Sequence, residues 1–521
     1  MTNYQFIMKI ILNRHSSQPL YLQIRDYLSR LIQSSKLAPG EKLPSIRNLA
    51  ASVGVNKLTI IEAYGVLAAD GLIQSRPGAG YFVSSAVSSP QRQSHFAPTQ
   101  KVTISETGET FCEQIMAALQ AQQQKEIINF SSGFPLTQEL ENFQRIAKRA
   151  IANSTDTLFR YDLPQGQLVL RQQIAQMLLN QGLEVSPEEI IVTNGSEQGL
   201  SLAMRYYLQA GDWVIVETPT YHGALGILAN LGVKVIGIPM TAEGMNLELL
   251  EQYLCSHRPK LIYTISTLHN PTGITTSQAH RQKLLALAQQ YECPILEDNA
   301  YEALNFEFEP VAAPIKALDR SDIVTYISTF SKTLMPGLRV GYTVVTGKHY
   351  QPILEQKILQ DLHSSTVSQA IVSEFLAGGH YRRYLNRLRT NHLQSRNAML
   401  QALERYFPAQ ASWTIPQGGL FLWVHLPEGI SVQAICREAL SCKILVASGT
   451  AFFPNHQGYP ALRLNFSNSL ADIDRGVAVL GELVQKYLAA VVPQPSRAIS
   501  DRPLEIASNV RVPNLGMLTK N

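Results

Sequence analysis

The chain has 521 residues, 45% of them hydrophobic, which allows two or three domains and at least one large core. Its five scattered cysteines (Cys112, Cys255, Cys293, Cys436, Cys442) form neither a disulfide framework nor a metal-ligand cluster, and no apolar run approaches the ~18 residues of a membrane span, so the composition points to a globular protein of the reducing cytoplasm. The net charge of +4 is that of residues 12–84 alone, with eight Lys and Arg against four Asp and Glu, and basic charge gathered in so small a segment suits a polyanionic partner.

In chain order, Leu20, Ile24, Tyr27, Leu28 and Leu31 recur at helical spacing and predict a first helix over 19–34. A turn at Pro39-Gly40 follows, then a second helix opened by Ser45 as N-cap and closed near Val53-Gly54. Asn56 caps a third, with Ile60, Tyr64, Leu67 and Ala68 on one face. Residues 72–83, with Gly78 and Gly80 at the tip, read as a hairpin, so 12–84 form a winged helix-turn-helix. Ser, Gln, Thr and Pro dominate residues 85–125, the composition of a linker, with a short helix expected over 111–124. Beyond Ile127, strand-like runs (190–193, 213–217, 234–238, 261–265, 323–327) alternate with helical patterns, which predicts an α/β domain on a mostly parallel sheet over 126–490. The tail, 491–521, is rich in Pro, Ser, Asn and Arg and is expected to be disordered.

The third helix of such a module can enter a major groove, where Asn56, Lys57 and Thr59 in its first turn would meet bases and phosphates. Arg47 on the helix before it would fix the register, and Arg76, Gly78 and Gly80 would bring charge and close backbone to the groove beside it. The segments Leu43-Pro44-Ser45-Ile46-Arg47, Ala63-Tyr64, Gly71-Leu72-Ile73 and Gly80-Tyr81-Phe82-Val83 resemble the GntR superfamily of bacterial regulators. That resemblance implies a double-stranded DNA operator met at these positions. Asn56-Lys57-Leu58 departs from the small-hydroxyl, Arg, polar pattern more usual there, so the operator sequence does not carry over.

A second set of residues matches the demands of pyridoxal phosphate, which needs an amine for its aldehyde, a carboxylate for its ring nitrogen, donors for its phenolate, a stacking face and an anion cradle. Lys332, in Ser328-Thr329-Phe330-Ser331-Lys332, is the candidate for the Schiff base, and Asp298, closing an apolar run, for the ring nitrogen. Tyr301 and Asn270 are placed for the phenolate, and Tyr221 for stacking. Asn194-Gly195-Ser196-Glu197 between a strand and a helix offers backbone N–H groups to the phosphate, aided by Thr329 and Arg339. Taken together these residues resemble fold-type I aminotransferases from about Ile127 to Ala489, with a mostly parallel sheet and a smaller C-terminal α+β subdomain. The resemblance adds Tyr161 as the tyrosine that reaches the cofactor phosphate of the other subunit of a dimer. It also adds Arg463 as the clamp for a substrate carboxylate. His269 before Asn270, and Asn299-Ala300 after Asp298, depart from the family pattern.

A GntR-like winged helix followed by an aminotransferase-like domain resembles the MocR subfamily of GntR regulators, which implies a head-to-tail, domain-swapped homodimer. The leading expectation is a transcriptional regulator that senses an amino acid, an amine or a B6 vitamer through the cofactor on Lys332; the alternative is a working aminotransferase that carries a winged helix. Lys332, Asp298 and Tyr301 are the catalytic set either way.

Overall fold

A computed structural model describes residues 10, 12–14, 19–33, 37, 40–69, 72–76, 79–84, 101–106, 120, 126–135, 140–153, 156–306, 311–456 and 458–491. Helices α1 (Leu20–Gln33), α2 (Ile46–Val53) and α3 (Lys57–Ala69) bury Ile24, Leu28, Leu49, Ile60, Ala63, Tyr64 and Leu67 in one small core. Ser45 caps α2 by accepting from the Asn48 N–H at 3.2 Å, and Gly54 ends it in the left-handed region at φ 66°, where a side chain would be strained. Asn56 Oδ1 accepts from the Leu58 N–H at 3.0 Å and opens α3. Strands β1 (Ile73–Arg76) and β2 (Gly80–Val83) form the antiparallel wing. Pro39 and Gly78 lie outside the described residues, as do the tail expected beyond Val491 and all but Gln120 of the helix expected over 111–124.

The expected linker is not all linker. Thr103–Glu106 (β3) pairs antiparallel with Lys234–Thr241 (β7) at the edge of the large sheet, because this alternating segment satisfies backbone groups that β7 would otherwise expose. The short strand β8 (Gly244–Met245) pairs with β7 beside the sheet's main path, and β4 (Ile128–Asn129) belongs to a separate pair described below. That path runs β3-β7-β6-β9-β10-β11-β12-β5, where β5 is Ile190–Thr193, β6 Trp213–Thr218, β9 Leu261–Thr264, β10 Ile295–Asp298, β11 Val324–Thr329 and β12 Gly341–Val344. Strands β7 through β11 pair in parallel along this path, and β12 runs against both its neighbours. Helices cover both faces, so these strands read as unbroken apolar runs rather than alternating ones.

A smaller antiparallel sheet of β13 (Ser412–Trp413), β14 (Phe421–His425), β17 (Ala461–Asn465) and β16 (Ala447–Ser448) builds the C-terminal subdomain. Strand β15 (Ile444–Leu445) pairs in parallel with β4, which sews residues 128–130 into this subdomain, and Phe130 shares its core with Met399, Trp413, Leu464 and Phe466. The helix His380–Tyr406 (α5 here, after Ser196–Tyr207 as α4) is long enough to serve two neighbours: its C-terminal half packs into that core, and α3 of the winged helix touches it. Among the described residues no helix is long and apolar enough to cross a membrane.

Candidate cofactor cavity and DNA face

Parallel strands end along one edge of the sheet, and there the apolar runs give way to polar residues. Asn194 to Glu197 follow β5, Tyr221 follows β6, Asn270 follows β9, Asp298 ends β10 and Lys332 follows β11. The carboxyl edge of an α/β sheet is where ligands bind. A cavity of about 560 Å³, its mouth included, opens at this edge, lined by Ser196, Glu197, Tyr221, Asn270, Asp298, Tyr301, Ser331, Lys332 and Arg339, with Ile265 and Ala300.

Burial, helped by Arg463 and Arg339, pulls the Lys332 amine down to about 8 against the opposing pull of Glu197 and Asp298. About a tenth of it is therefore unprotonated and nucleophilic at neutral pH, far more than of an ordinary lysine. Burial pushes the Asp298 carboxyl up to about 7, although the Tyr263 hydroxyl donates to it at 3.0 Å and the Ala300 N–H at 3.3 Å. An acid so placed asks for a cationic partner. Tyr301 lies with its ring 5.6 Å from Lys332 Nζ and its hydroxyl donating to Gly133 O at 3.3 Å. Tyr221, at the start of the helix His222–Asn230, donates its hydroxyl to Glu197.

The anion cradle takes shape at the start of α4. Gly195, at φ 76°, has a backbone that a side chain would strain, and a Cβ there would displace the Arg339 guanidinium, whose Nη2 stands 2.5 Å away. Arg339 in turn donates to Asn194 O at 3.1 Å and to Ser331 Oγ at 3.3 Å. Thr329, expected at the phosphate, is buried at the end of β11 with its hydroxyl turned to Val340 O and Ser331; the hydroxyl on the cavity wall is that of Ser331. The strand continues through Thr329, and its pleat points that side chain inward. Tyr161 is also away from the cavity, 86% exposed, with its ring edge on His363.

Arg463, on β17, is fully enclosed. Its Nη1 donates to Asn270 Oδ1 at 2.9 Å and its Nη2 to Ser131 O at 2.6 Å, while Nε has no partner among the described residues. The guanidinium lies between the rings of Phe421, at 4.1 Å, and Phe452, at 5.0 Å. No described carboxylate forms an ion pair with it, and burial draws it down to about 10. His269 pairs with Glu217 at 3.2 Å, both fully buried, and belongs to the cavity's support rather than its wall.

Several partners were not legible in the sequence. Tyr263 hides in an apolar strand, Phe421 and Phe452 look like core, and His222, drawn down to about 3 by burial, then Arg463 and Lys332, sits neutral against Tyr221 and Phe452.

On the winged helix, Arg47, Asn56, Lys57, Arg76 and Gly80 are exposed, Gly80 at φ 103°. Thr59 is half-buried, because position 59 of α3 turns toward the core. The Arg76 guanidinium rests 4.5 Å from the Phe82 ring centre, with Lys42 over the same ring at 5.8 Å. Arg14, not singled out from sequence, donates to Gly54 O at 2.8 Å and adds a cation at the turn between α2 and α3.

Fold and cavity thus define a winged-helix protein joined to a fold-type I aminotransferase-like domain. Residues 20–83 match the bacterial regulatory proteins of the gntR family, and residues 125–480 match aminotransferase class I and II. The uncharacterized HTH-type transcriptional regulator YdcR of Escherichia coli is 33% identical over 90% of this chain and 99% of its own. YdfD of Bacillus subtilis, another HTH-type regulator, is 30% identical over 90% and 97%. Among solved structures, the α-aminoadipate aminotransferase LysN of Thermus thermophilus, complexed with N-(5'-phosphopyridoxyl)-L-leucine, superimposes with a TM-score of 0.67 at 31% identity over 74% of this chain and 100% of that one. The chain belongs to the family of HTH-type transcriptional regulators that carry an aminotransferase class I and II domain, and pyridoxal 5'-phosphate is the cofactor of that domain. The cavity fits it: a nucleophilic amine, a buried acid with no ion-pair partner among the described residues, hydroxyl and amide donors, an aromatic face and a glycine turn at a helix start stand around one space.

Proposed function

We propose that the aminotransferase-like domain is the sensor of this regulator, and that its effector is an amino compound carrying a carboxylate or a similar anion. Arg463 carries the proposal. It is a buried guanidinium with no counter-carboxylate and no partner for its Nε among the described residues, bonded to Asn270 on the cavity wall. A buried cation without an anion is costly unless a ligand supplies one.

Pyridoxal phosphate supplies an aldehyde for a primary amine and a ring that withdraws electrons. Lys332 would hold it covalently and carry protons, Asp298 would pair with the ring nitrogen, Tyr301 and Asn270 would serve the phenolate and Tyr221 would offer a stacking face. The α4 amides of Ser196 and Glu197, with Ser331 and Arg339, hold the phosphate. An effector carboxylate competes for the Arg463 donors now given to Ser131 O and Asn270. Those partners belong to the segment sewn into the C-terminal subdomain and to the large sheet, so the exchange alters how the two parts meet. Helix α5 spans the C-terminal core and the contact with α3, and Arg389 on it donates to Ala303 O at 2.9 Å, two residues from Tyr301. DNA binding by Arg47, Asn56, Lys57 and the wing follows from that route.

The working unit is a cytoplasmic homodimer, head-to-tail and domain-swapped. Phe159 and Tyr161 are 81% and 86% exposed on one loop, a cost that a second subunit relieves when Tyr161 reaches its cofactor phosphate. Titrating the cofactor-loaded protein with amines and amino acids, while following absorption and operator binding together, tests the reading. Transaminase activity is the second reading, favoured by Lys332 and Asp298 titrating near neutrality. Sustained turnover at roughly 1 per second or more would support it.

A further inference from the structure

Helix α3 is apolar on both faces. Ile60, Ala63, Tyr64 and Leu67 fill the winged-helix core, yet Leu58 is 65% exposed and Ile61 45% exposed on the opposite side. A helix at the surface of a small domain ordinarily turns polar residues outward. Contact with α1, α2, β1 and α5 leaves this second face open. Leu58 and Ile61 are one turn apart, and exposed Lys57 and Asn56 lie beside them at the helix start, with Arg47 exposed on α2.

We propose that Leu58 and Ile61 read thymine by its C5-methyl group in the major groove. The proposal rests on the DNA-binding reading of α3 and goes beyond it. Exposed Lys57 and Arg47 near the apolar pair outnumber the one acid of α3, exposed Glu62, and this balance favours a polyanion over the apolar surface of another protein. Within the major groove the one apolar group on a base edge is the pyrimidine C5-methyl, so an aliphatic pair at the start of a recognition helix finds its complement there. Lys57 and Arg47 then hold the phosphates that set the register, and Leu58 and Ile61 discriminate bases. The same methyl occurs on 5-methylcytosine, and synthetic duplexes free of that base leave thymine as its source.

The experiment begins with duplexes selected from a random pool by the full-length, cofactor-loaded protein. Each thymine is then replaced by uracil, which removes the methyl and nothing else. Affinity falls about fourfold for each methyl in contact, at one or two neighbouring positions per half-site. Leu58→Ala lowers affinity for the thymine duplex by a like factor and is insensitive to uracil at the same position. Ile61→Ala does so at the adjacent position. If no uracil costs as much as twofold, or if Leu58→Ala and Ile61→Ala remain as sensitive to uracil as the unaltered protein, the methyl contact is wrong. Salt-dependent binding that Arg47→Ala weakens would in that case leave the DNA reading standing. A protein that binds no duplex overturns both.

Discussion

Arg463 Nη1 donates to Asn270 Oδ1 at 2.9 Å, and this bond joins β17 of the C-terminal subdomain to the loop after β9 of the large sheet. On the proposed reading Asn270 would serve the cofactor's phenolate and Arg463 an effector's anion. Arg463→Ala should weaken a carboxylate-bearing effector by about 100-fold, the loss of two charge-assisted hydrogen bonds, while cofactor affinity changes little. Arg463→Lys should recover only a small part, because a single ammonium cannot form the parallel pair. Spectral titration of each variant with the effector, and with its decarboxylated analogue, measures the difference.

The rate of covalent cofactor uptake should rise with pH through a midpoint of about 8 and level off above it, as Lys332 loses its proton. Arg463 and Arg339 both hold that amine down, so Arg463→Ala should move the midpoint to higher pH. Stopped-flow absorption across pH 6 to roughly 10 shows the midpoint directly. Lys332→Ala should abolish the covalent absorption and leave a folded dimer by sedimentation.

Asp298 makes the stability of the cofactor-free protein depend on pH in a known direction. Its carboxyl rises from 3.8 to about 7 on folding, so the native chain holds that proton more tightly than the unfolded one, and stability is lost as pH climbs through this window. Relative to the unaltered protein, Asp298→Asn should therefore gain melting temperature between pH 5 and pH 8, by roughly 5 °C or more. An equal difference at both pH values would mean that Asp298 is already paired without cofactor.

Glu197 begins α4 beside the cradle and holds the Tyr221 hydroxyl, so it brings a carboxylate to the place of a phosphate. Glu197→Gln keeps the hydrogen bond and removes the charge. It should tighten pyridoxal phosphate by about tenfold more than it changes unphosphorylated pyridoxal, which shares only the effect on the Lys332 amine, as equilibrium dialysis would show.

How much of this site the sequence disclosed follows from where each residue lies. Asp298, Lys332, Tyr221 and Asn270 are found readily because each marks the point where a buried strand ends and polarity begins. Thr329 fails by the same logic: the strand runs on through it, and only the pleat decides that Ser331 faces the cavity. Arg463 lies 131 positions after Lys332 in another sheet, where no local pattern connects them, and only the family resemblance brought it in. Strand β3 is four residues in a polar stretch, and what makes it a strand is the open edge of β7 rather than its own composition. The winged helix was legible almost throughout, since its caps, glycines and apolar spacing are all local. Thr59 was the exception, because Leu58 takes the exposed place.

The most direct test of the sensor claim is operator affinity of the full-length, cofactor-loaded protein, measured by fluorescence anisotropy with and without a panel of amino acids while cofactor absorption is recorded in the same sample. The account predicts that at least one carboxylate-bearing amine shifts the absorption and operator affinity together, and that Lys332→Ala and Arg463→Ala each uncouple them. Steady turnover of amino acid with keto acid, and an operator affinity that no ligand changes, would contradict it and make the domain an enzyme carried by a DNA-binding module.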